Sequence, residues 1–217
     1  MITRSEIRNQ AYGTLMGKWK QPVLATLITL ICNCVIQGSR AFQDRPMAIG
    51  IYTGFAFLFA LIVVGPLSYG YVNSLLRFHK GQEESVKEML NIGFKEDYAR
   101  AFIVQLLVGL FVFLWALLLI IPGIVMAYAY AMTPFIAEEN PELSPMECIT
   151  KSKEMMSGHK LELFLLDLSF IGWLLLGFIT CGIGLLWVMP YMNMARVKFY
   201  EQLKVEVVNN PYNSTQG

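Results

Sequence analysis

Charged residues are scarce in this sequence. Of its 217 residues, 15% are Asp, Glu, Lys or Arg, against about 25% in a typical soluble domain. The apolar set AVILMFWYC makes up 55%, and a chain of this size has too little interior to bury so much apolar surface. A disordered chain and an ordinary soluble enzyme are therefore excluded. The formal net charge of +1 supplies no basic field, so we predict no nucleic-acid partner.

Motifs that carry catalysis or hold metal ions are also missing. The sequence contains no Walker loop, no nucleophile elbow, no HExxH and no pair of carboxylates at catalytic spacing. The four cysteines form neither a disulfide framework nor a metal-ligand cluster. We therefore predict a protein that is not an enzyme and that has no catalytic residues, no cofactor and no metal.

Long apolar runs dominate what is present. A helix needs about 20 apolar residues to cross roughly 30 Å of hydrocarbon. Six segments approach this length or exceed it, namely 22–37, 47–78, 101–121, 123–137, 161–180 and 184–200. Their apolar residues are continuous rather than alternating, which favours helices over strands. The predicted fold is all-α, a polytopic helical membrane protein with six transmembrane helices.

Gly65-Pro66 lies inside the second segment, and a turn there would create a seventh span. We interpret Pro66 as a helix kink, because a turn would leave 67–78 too short to cross and would scatter basic loops over both faces. With six spans and the N-terminus inside, the outer side holds only Arg40 and Arg45, and the inner side holds the other 15 of the 17 basic residues. This asymmetry predicts that both termini are cytoplasmic.

Two short sequences are predicted to be tight outer turns, Pro122-Gly123 and the Cys-Gly-Ile-Gly at 181–184.

The N-terminus has a competing interpretation as a signal peptide, since Lys18 and Lys20 precede an apolar stretch. Its basic region is long, however, and 35–39 lacks a clear small-x-small cleavage site. We favour a retained membrane anchor.

An internal repeat is indicated by three capping boxes, in which a Ser or Thr precedes a Glu by three residues. They are Thr3/Glu6, Ser85/Glu88 and Ser144/Glu147, followed eleven residues after each Glu by Gly17, Ala99 and Gly158. Each opens a short amphipathic helix, with apolar stripes Ile7/Ala11/Leu15, Val86/Met89/Leu90/Phe94 and a less regular Met146/Ile149/Met156. Capping boxes are common, so coincidence is the alternative.

The predicted repeat unit is an interfacial amphipathic helix followed by a hairpin of two spans. An even number of spans in each unit makes the three repeats parallel. The units cover approximately 3–84, 85–143 and 144–205 of one integral membrane domain, 1–217, with a short polar tail at 206–217.

Asp167 is the strongest candidate for a functional residue inside a span, where a carboxylate is costly. Arg196 lies at a comparable depth in the sixth span, and the two spans are predicted neighbours. We expect Asp167 and Arg196 to form an ion pair with Asn193 nearby as a hydrogen-bond partner. The pair would either fix the register of the hairpin or line a substrate or proton path. Asn73 recurs at the position of Asn193 and joins this candidate intramembrane polar site.

The order of several motifs resembles a known family. The motifs are Arg8-x-x-Ala11-x-x-x-Leu15-x-Gly17-x-Trp19, Ile121-Pro122-Gly123-Ile124, and the blocks 152–158, 166–173, 182–187 and 190–193. Over almost its whole length the chain resembles the bacterial integral membrane proteins of domain-of-unknown-function family 975. The resemblance implies a multi-pass protein of the bacterial cytoplasmic membrane. It also implies distant similarity to the membrane domain of some glycerophosphodiester phosphodiesterases, and it supplies no catalytic residues.

Three functions remain open from the sequence. The first is a non-enzymatic membrane scaffold, envelope factor or partner-binding module, whose cytoplasmic amphipathic helices lie on the inner leaflet or dock a protein partner. The second is a small transporter or channel-like protein with a polar path near Asp167 and Arg196. The third is a membrane enzyme that acts on lipid. Membrane lipid is a partner in every case, and the oligomeric state is left open.

Overall fold

The computed structural model describes residues 3–37, 46–82, 86–96, 98–180 and 182–209. All regular secondary structure in these ranges is helical, which confirms the all-α prediction. The α-helices are α1 (Arg4–Leu15), α2 (Lys20–Gln37), α3 (Pro46–Phe59), α4 (Gly65–His79), α5 (Val86–Asn91), α6 (Tyr98–Leu118), α7 (Ile120–Ala129), α8 (Thr133–Glu139), α9 (Pro145–Met155), α10 (Lys160–Leu168), α11 (Ile171–Ile179) and α12 (Leu185–Asn209). Two π-helical turns, Ala60–Val64 and Ile92–Glu96, lie before α4 and after α5.

Some predicted features fall outside the described residues. They are Ser85 of the second capping box, Arg40 and Arg45 of the outer loop, Cys181 of the last turn, and the tail from 210 onwards.

The helix that contains Pro66 runs through it without a turn, as predicted. α3, the π-helical turn and α4 are continuous, and 51–79 forms one helix of 29 residues. The π-helical turn widens the helix just before Pro66, and the Gly65 N–H donates to the Ala60 carbonyl five residues earlier. The hydroxyl of Tyr98 donates to the Ile62 carbonyl at 3.0 Å. Neighbouring groups thus take up backbone acceptors at the proline, as a kink requires.

The turn between α6 and α7 lies at Leu119, so its predicted position at Pro122-Gly123 is wrong. Leu119 is extended, with φ −162° and ψ 141°, and α7 begins at the next residue. Pro122 falls in the first turn of α7, where its missing N–H would have no helical partner in any case. A Cβ on Gly123 would lie 2.8 Å from the Ala116 Cα. The glycine therefore permits the close approach of α6 and α7 instead of forming the turn.

The fifth predicted span, 161–180, is not one helix. It consists of α10 and α11, separated at Ser169 and Phe170. The Ser169 hydroxyl donates to the Leu166 carbonyl at 2.6 Å and the Phe170 N–H donates to the Asp167 carbonyl at 3.0 Å. A serine hydroxyl that bonds the backbone in this way competes with the regular helical ladder. The fourth predicted span contains a turn at 130–132 between α7 and α8, and Ile120–Glu139 as a whole is still long and apolar enough to cross a membrane.

Three helices of the described chain are long and apolar enough to cross a membrane: Ile51–His79, Tyr98–Leu117 and Ile120–Glu139. Their large apolar side chains are extensively exposed, among them Ile51 (72%), Leu117 (74%) and Ile121 (77%). Exposed apolar surface on this scale is typical of a protein surrounded by lipid. The remaining crossings and the orientation stay predictions.

The first and third capping boxes form as predicted. The Thr3 and Ser144 hydroxyls accept from the N–H of Glu6 and Glu147, whose carboxylates accept from the N–H of Thr3 and Ser144. Gly17 and Gly158, at the equivalent positions beyond the helices, have φ of 79° and 82°. This left-handed conformation favours glycine and ends a helix. Ala99, the residue at the same spacing after the second capping box, lies inside α6 and not beyond the end of a helix.

The apolar stripe of α1 is buried as predicted, through Ile7, Ala11 and Leu15. The stripe of α9 differs from the prediction, because Met146 is 51% exposed. The buried face consists of Cys148, Ile149, Ser152, Met155 and Met156. Met146 lies two residues before Cys148, about 200° around the helix, and therefore points away from this face.

The short helices α1, α5 and α9, called here the leading helices, pack on α12, α4 and α8 respectively. We call α4, α8 and α12 the closing helices. Each leading helix thus contacts the closing helix of a different predicted unit, and α1 joins the first unit to the last. At the contact of α5 with α4 the backbones almost touch, since a Cβ on Gly70 would lie 2.2 Å from the Met89 carbonyl oxygen.

The three closing helices converge in the main hydrophobic core. Its buried side chains include Leu75 and Leu76 from α4, Ile136 from α8 and Val197 from α12. The rings of Phe135 and Tyr200 stack across α8 and α12 with centroids 5.1 Å apart. The core therefore places the C-terminal ends of the closing helices side by side, and we call this end of the bundle the polar end for the charged residues it carries.

Candidate functional site

Asp167 occupies the last turn of α10, directly before the break at Ser169 and Phe170. The chain resumes a regular helix when the Leu174 N–H donates to the Phe170 carbonyl at 2.9 Å. Asp167 is therefore held at the end of a short helix, with its side chain 14% exposed.

Arg196 of α12 binds Asp167 through two hydrogen bonds. Its Nε lies 3.1 Å from the Asp167 Oδ1 and its Nη2 lies 2.7 Å from the Oδ2. This two-point contact is the strongest geometry that a guanidinium and a carboxylate can form. The predicted ion pair is confirmed by these distances.

Tyr128 of α7 completes the surroundings of the carboxylate by donating its hydroxyl to the Asp167 Oδ2 at 3.2 Å. Tyr128 is fixed in turn by an edge-to-face contact with Phe164, at 5.8 Å between ring centroids. Three donors from two other helices thus converge on one carboxylate. The carboxylate thus joins α10 to α12 and α7 through hydrogen bonds to both of its oxygens.

Arg8 of α1 reaches the break itself. Its Nη1 donates to the Ser169 carbonyl at 3.3 Å. Phe170 packs edge-to-face on Tyr191, and Tyr191 packs on Tyr12 of α1, at centroid distances of 5.0 and 6.1 Å. The break in the fifth segment is therefore covered by the leading helix of the first unit, a contact that the sequence analysis did not predict.

Two predicted members of this site do not take part as expected. Within the described ranges, Asn193 makes no hydrogen bond to Asp167 or Arg196, because the Tyr128 hydroxyl occupies the free side of the carboxylate. Asn73 is fully buried in α4, and neither its amide oxygen nor its amide nitrogen has a hydrogen-bond partner. It is a core residue of the closing helices, not a ligand of the ion pair.

A second charged cluster lies at the polar end and was missed by the sequence analysis. Glu139 of α8 binds the Lys80 ammonium, accepts from the Tyr200 hydroxyl at 2.7 Å and accepts from the Lys204 Nζ at 3.0 Å. Burial alone would lower the pKa of Lys204, but its hydrogen bonds to Glu139 and Glu201 outweigh that effect and raise the pKa.

A sequence signal for this cluster exists. Lys80, Glu139 and Tyr200 each follow by nine residues a tyrosine in the last part of a predicted repeat unit, namely Tyr71, Tyr130 and Tyr191. Equivalent positions of three parallel helices that converge must meet, and these three side chains do. Aligning the three predicted units on these tyrosines and extending the alignment by nine residues would have predicted the cluster.

Two arginines extend the charged surface at this end. Arg77 links α5 to α8 through Glu88 (2.6 Å) and Glu138 (2.8 Å). Arg100 of α6 donates to the carbonyls of Asn140 (2.7 Å) and Pro141 (2.8 Å), beyond the end of α8. Each charge has partners within the fold, so the cluster links helices rather than presenting free ions.

Within the described chain, no group of three or more His, Cys, Asp or Glu side chains is arranged to hold a metal ion. What the site does chemically is neutralise one carboxylate and hold four helices together at a helix break.

Comparison with known proteins identifies a family. The family described as Protein of unknown function (DUF975) matches residues 1–127 and 116–206. No curated protein and no solved structure gives a significant match. The distant similarity to phosphodiesterase membrane domains stays a prediction.

Proposed function

We propose that this chain, which belongs to the DUF975 family of unknown function, is a non-enzymatic scaffold of the bacterial cytoplasmic membrane. It would cross the membrane six times with both termini in the cytoplasm and present the polar end to a protein partner. The observation that carries the proposal is the complete pairing of Asp167 by Arg196 and Tyr128. In this proposal the Asp167 carboxylate serves to join the helices around it.

The three-unit architecture is supported by geometry that the units share. Two leading helices have the same capping box and the same left-handed glycine beyond their ends. The equivalent residues Lys80, Glu139 and Tyr200 meet at the polar end. Each leading helix packs on a closing helix, and α1 packs on α12, which would close the three units into a ring.

The proposed cytoplasmic position of the polar end is supported by its basic residues. The polar end carries Arg77, Lys80, Arg100 and Lys204, all of which the six-span topology assigns to the inner side. Basic residues next to spans are retained on the cytoplasmic side. The leading helices would then lie at the inner surface of the membrane.

A protein partner would contact the polar faces of the leading helices. Their apolar faces are buried inside the chain itself, at Ile7 and Leu15 in α1 and at Cys148 and Ile149 in α9. These faces are not available for the inner leaflet. Lipid would instead contact the exposed apolar side chains of the spans.

A transporter is the second candidate, favoured by the helix break next to Asp167. Interrupted membrane helices form the binding sites of many transporters. Against this, the acceptor atoms of Asp167 are already engaged by three donors within the fold. A path through this point would require the ion pair to open.

Two variants separate the candidates, Asp167→Asn and the double variant Asp167→Asn/Arg196→Gln. If the pair is structural, Asp167→Asn lowers the unfolding midpoint in detergent, because it leaves the Arg196 charge unpaired, and the double variant recovers part of the loss. Proteoliposomes of the wild type and the variants would show the same passive ion flux as empty vesicles.

The opposite outcome is equally definite. Suppose that the wild-type protein conducts ions and that Asp167→Asn abolishes this flux at an unchanged unfolding midpoint. That result would reject the scaffold and support the transporter.

The topology is tested by a reporter fused after Gly217, which we expect to be cytoplasmic. An extracellular reporter would reject the six-span arrangement whatever the outcome for Asp167.

A further inference from the structure

A cavity of about 340 Å³, largely open to its surroundings, lies between the helix that contains Pro66 and α6. Its lining includes Phe57, Leu61, Gly65, Ser68 and Gln105. The volume falls within the range of small-molecule binding sites, roughly 300–1,000 Å³. The cavity arises where the π-helical turn Ala60–Val64 widens its helix, and single π-turns of this kind are frequent at functional sites.

The cavity contains two polar side chains without partners. Ser68 and Gln105 are half-buried, and neither forms a hydrogen bond through its side chain with any described residue. The remaining wall is largely apolar and includes the ring of Phe57. An amide and a hydroxyl that face an apolar cavity are costly unless a ligand or water bonds them.

The depth of the cavity narrows the choice of ligand. α6 has 21 residues, about 30 Å, which matches the hydrocarbon thickness. Gln105 lies seven residues after Tyr98, the first residue of α6, so it is about 10 Å inside that end. The ester groups of a glycerolipid lie at the edge of the hydrocarbon. A lipid that bonds Gln105 must carry its oxygen atoms deeper.

We propose that this cavity binds the ring head group of an isoprenoid lipid, with ring carbonyl or hydroxyl oxygens bonded to Gln105 and Ser68. The ring would pack on Phe57, and the chain would leave past the half-buried Leu61 and the exposed Leu106 beside it. The inference rests on the membrane placement of α6 proposed above. That placement is checked separately by recovery of the protein in the membrane fraction after alkaline extraction.

Gly65 offers a way to fill the cavity without disturbing the fold. A Cβ there would lie 3.7 Å from the Gln105 Cβ and 3.8 Å from the Ala60 carbonyl oxygen, which are ordinary contacts. Gly65→Ala therefore narrows the cavity next to Gln105 and leaves the backbone in place. Gly54→Ala and Gly109→Ala are matched controls, because a Cβ at either position meets nothing within 4 Å and neither residue lines the cavity.

The test uses full-length protein reconstituted in vesicles that contain an isoprenoid quinone and phosphatidylglycerol. After extraction in mild detergent, mass spectrometry measures the lipid retained by each chain. We expect the wild type and both glycine controls to retain about one quinone per chain. We expect Gln105→Leu to lower retention about fivefold, the loss of one hydrogen bond, and Gly65→Ala to lower it by at least as much.

Two results would overturn the proposal. One is equal quinone retention, or none, by membrane-inserted wild type, Gly65→Ala and Gln105→Leu. The other is retention of phosphatidylglycerol in place of quinone with the same dependence on Gly65 and Gln105, which would assign the cavity to a glycerolipid. Failure of the alkaline-extraction check would instead count against the membrane placement itself.

Discussion

Thr26 in α2 and Asp167 in α10 lie at the same place in the first and third predicted units, and their surroundings differ. Thr26 follows the capping residue Thr3 by 23 residues, and Asp167 follows Ser144 by the same 23. Thr26 is 1% exposed and its hydroxyl lies 2.8 Å from both the Pro22 carbonyl oxygen and the Tyr71 hydroxyl. Helix α2 continues past it to Gln37, whereas α10 ends one residue after Asp167.

The difference follows from the hydrogen-bonding needs of the two side chains. A threonine hydroxyl can donate to a carbonyl of its own helix, so one further hydroxyl satisfies it and the helix need not change. A carboxylate accepts only, and it requires a cation when it is removed from water. The third unit meets that need with Arg196 and Tyr128 from two neighbouring helices.

The largest effect is expected when the carboxylate is transferred to the first unit as Thr26→Asp. The two hydrogen-bond partners of Thr26 are a carbonyl and a hydroxyl, so no cation bonded to this site would neutralise the new charge. We expect a cost of about 3 kcal/mol, the value for an aspartate at the centre of a membrane helix. The measurement is the yield and unfolding midpoint of protein extracted in mild detergent.

Thr26→Asn is the matched control, since it has nearly the same shape as Asp and no charge. A yield and midpoint of Thr26→Asp equal to those of the Asn variant would show that charge is not what distinguishes the two units.

Arg8→Met tests whether α1 supports the helix break. The substitution keeps an unbranched apolar stem and removes the donor to the Ser169 carbonyl. We expect a loss of about 1.5 kcal/mol, the lower end for a hydrogen bond from a charged group, because the bond is long at 3.3 Å. Hydrogen exchange should rise at the amides of 169–174 and stay unchanged in α2.

Arg4→Met, on the exposed face of the same helix, is expected to change neither quantity. Faster exchange in α2 as well as in 169–174 would mean that Arg8 stabilises the whole bundle and not the break in particular.

Thr26→Val should cost less, about 1 kcal/mol, because it removes a neutral buried hydroxyl that bonds Tyr71 and the Pro22 carbonyl of its own helix. Tyr71→Phe should cost a similar amount, and the double variant should cost less than the two single losses together. Unfolding midpoints of the four proteins provide the double-mutant cycle. Additive losses would contradict a direct bond between the two hydroxyls.

The smallest expected effect on stability comes from the capping boxes of the leading helices α1 and α9, which are alike in the first and third predicted units. Hydrogen bonds from the side chain and backbone N–H of Ser144 lower the pKa of Glu147 below its ordinary value of 4.5. The Thr3 N–H and hydroxyl lower the pKa of Glu6 in the same way. Because the folded-state pKa is depressed, this stabilisation is present above pH 4.5 and is lost as the pH falls through the lowered pKa.

Unfolding midpoints of the wild type, Glu6→Gln and Glu147→Gln, measured between about pH 6 and pH 3, test this similarity. Each glutamine substitution should reduce the fall of the unfolding midpoint at low pH by a small amount, and the two reductions should be equal. A clearly larger change for one variant would show that the two capping boxes are not equivalent.

Much of the local structure could be predicted from residue types. The capping boxes at Thr3 and Ser144 form because a hydroxyl and a carboxylate three residues apart satisfy the free amides of a helix start. Pro66 stays within a helix because neighbouring groups take up nearby carbonyls. The position of one turn was predicted wrongly from a proline. Pro122 suits the first turn of a helix as well as a loop, and the turn forms at Leu119.

Part of the candidate site was predictable for a similar reason. Asp167 could be paired with Arg196 because both lie deep in spans that a short turn makes neighbours. The contributions of Tyr128 and Arg8 could not be found in this way, since α7 and α1 reach the site only after the units pack together. Asn193 makes no bond to the pair, because the Tyr128 hydroxyl from α7 takes the free side of the carboxylate, which the sequence of α12 does not reveal.

By itself, the sequence determined the all-helical class, the helix caps, the helix through Pro66 and the pairing of the one deep carboxylate. These depend on hydrogen-bonding and hydrophobic patterns that act within a few turns of helix or between adjacent helices. Only the tertiary structure decided the contacts of Tyr128 and Arg8 with the broken segment and the cavity beside Gly65. Each requires the relative position of helices far apart in the chain, which packing sets and local sequence does not encode.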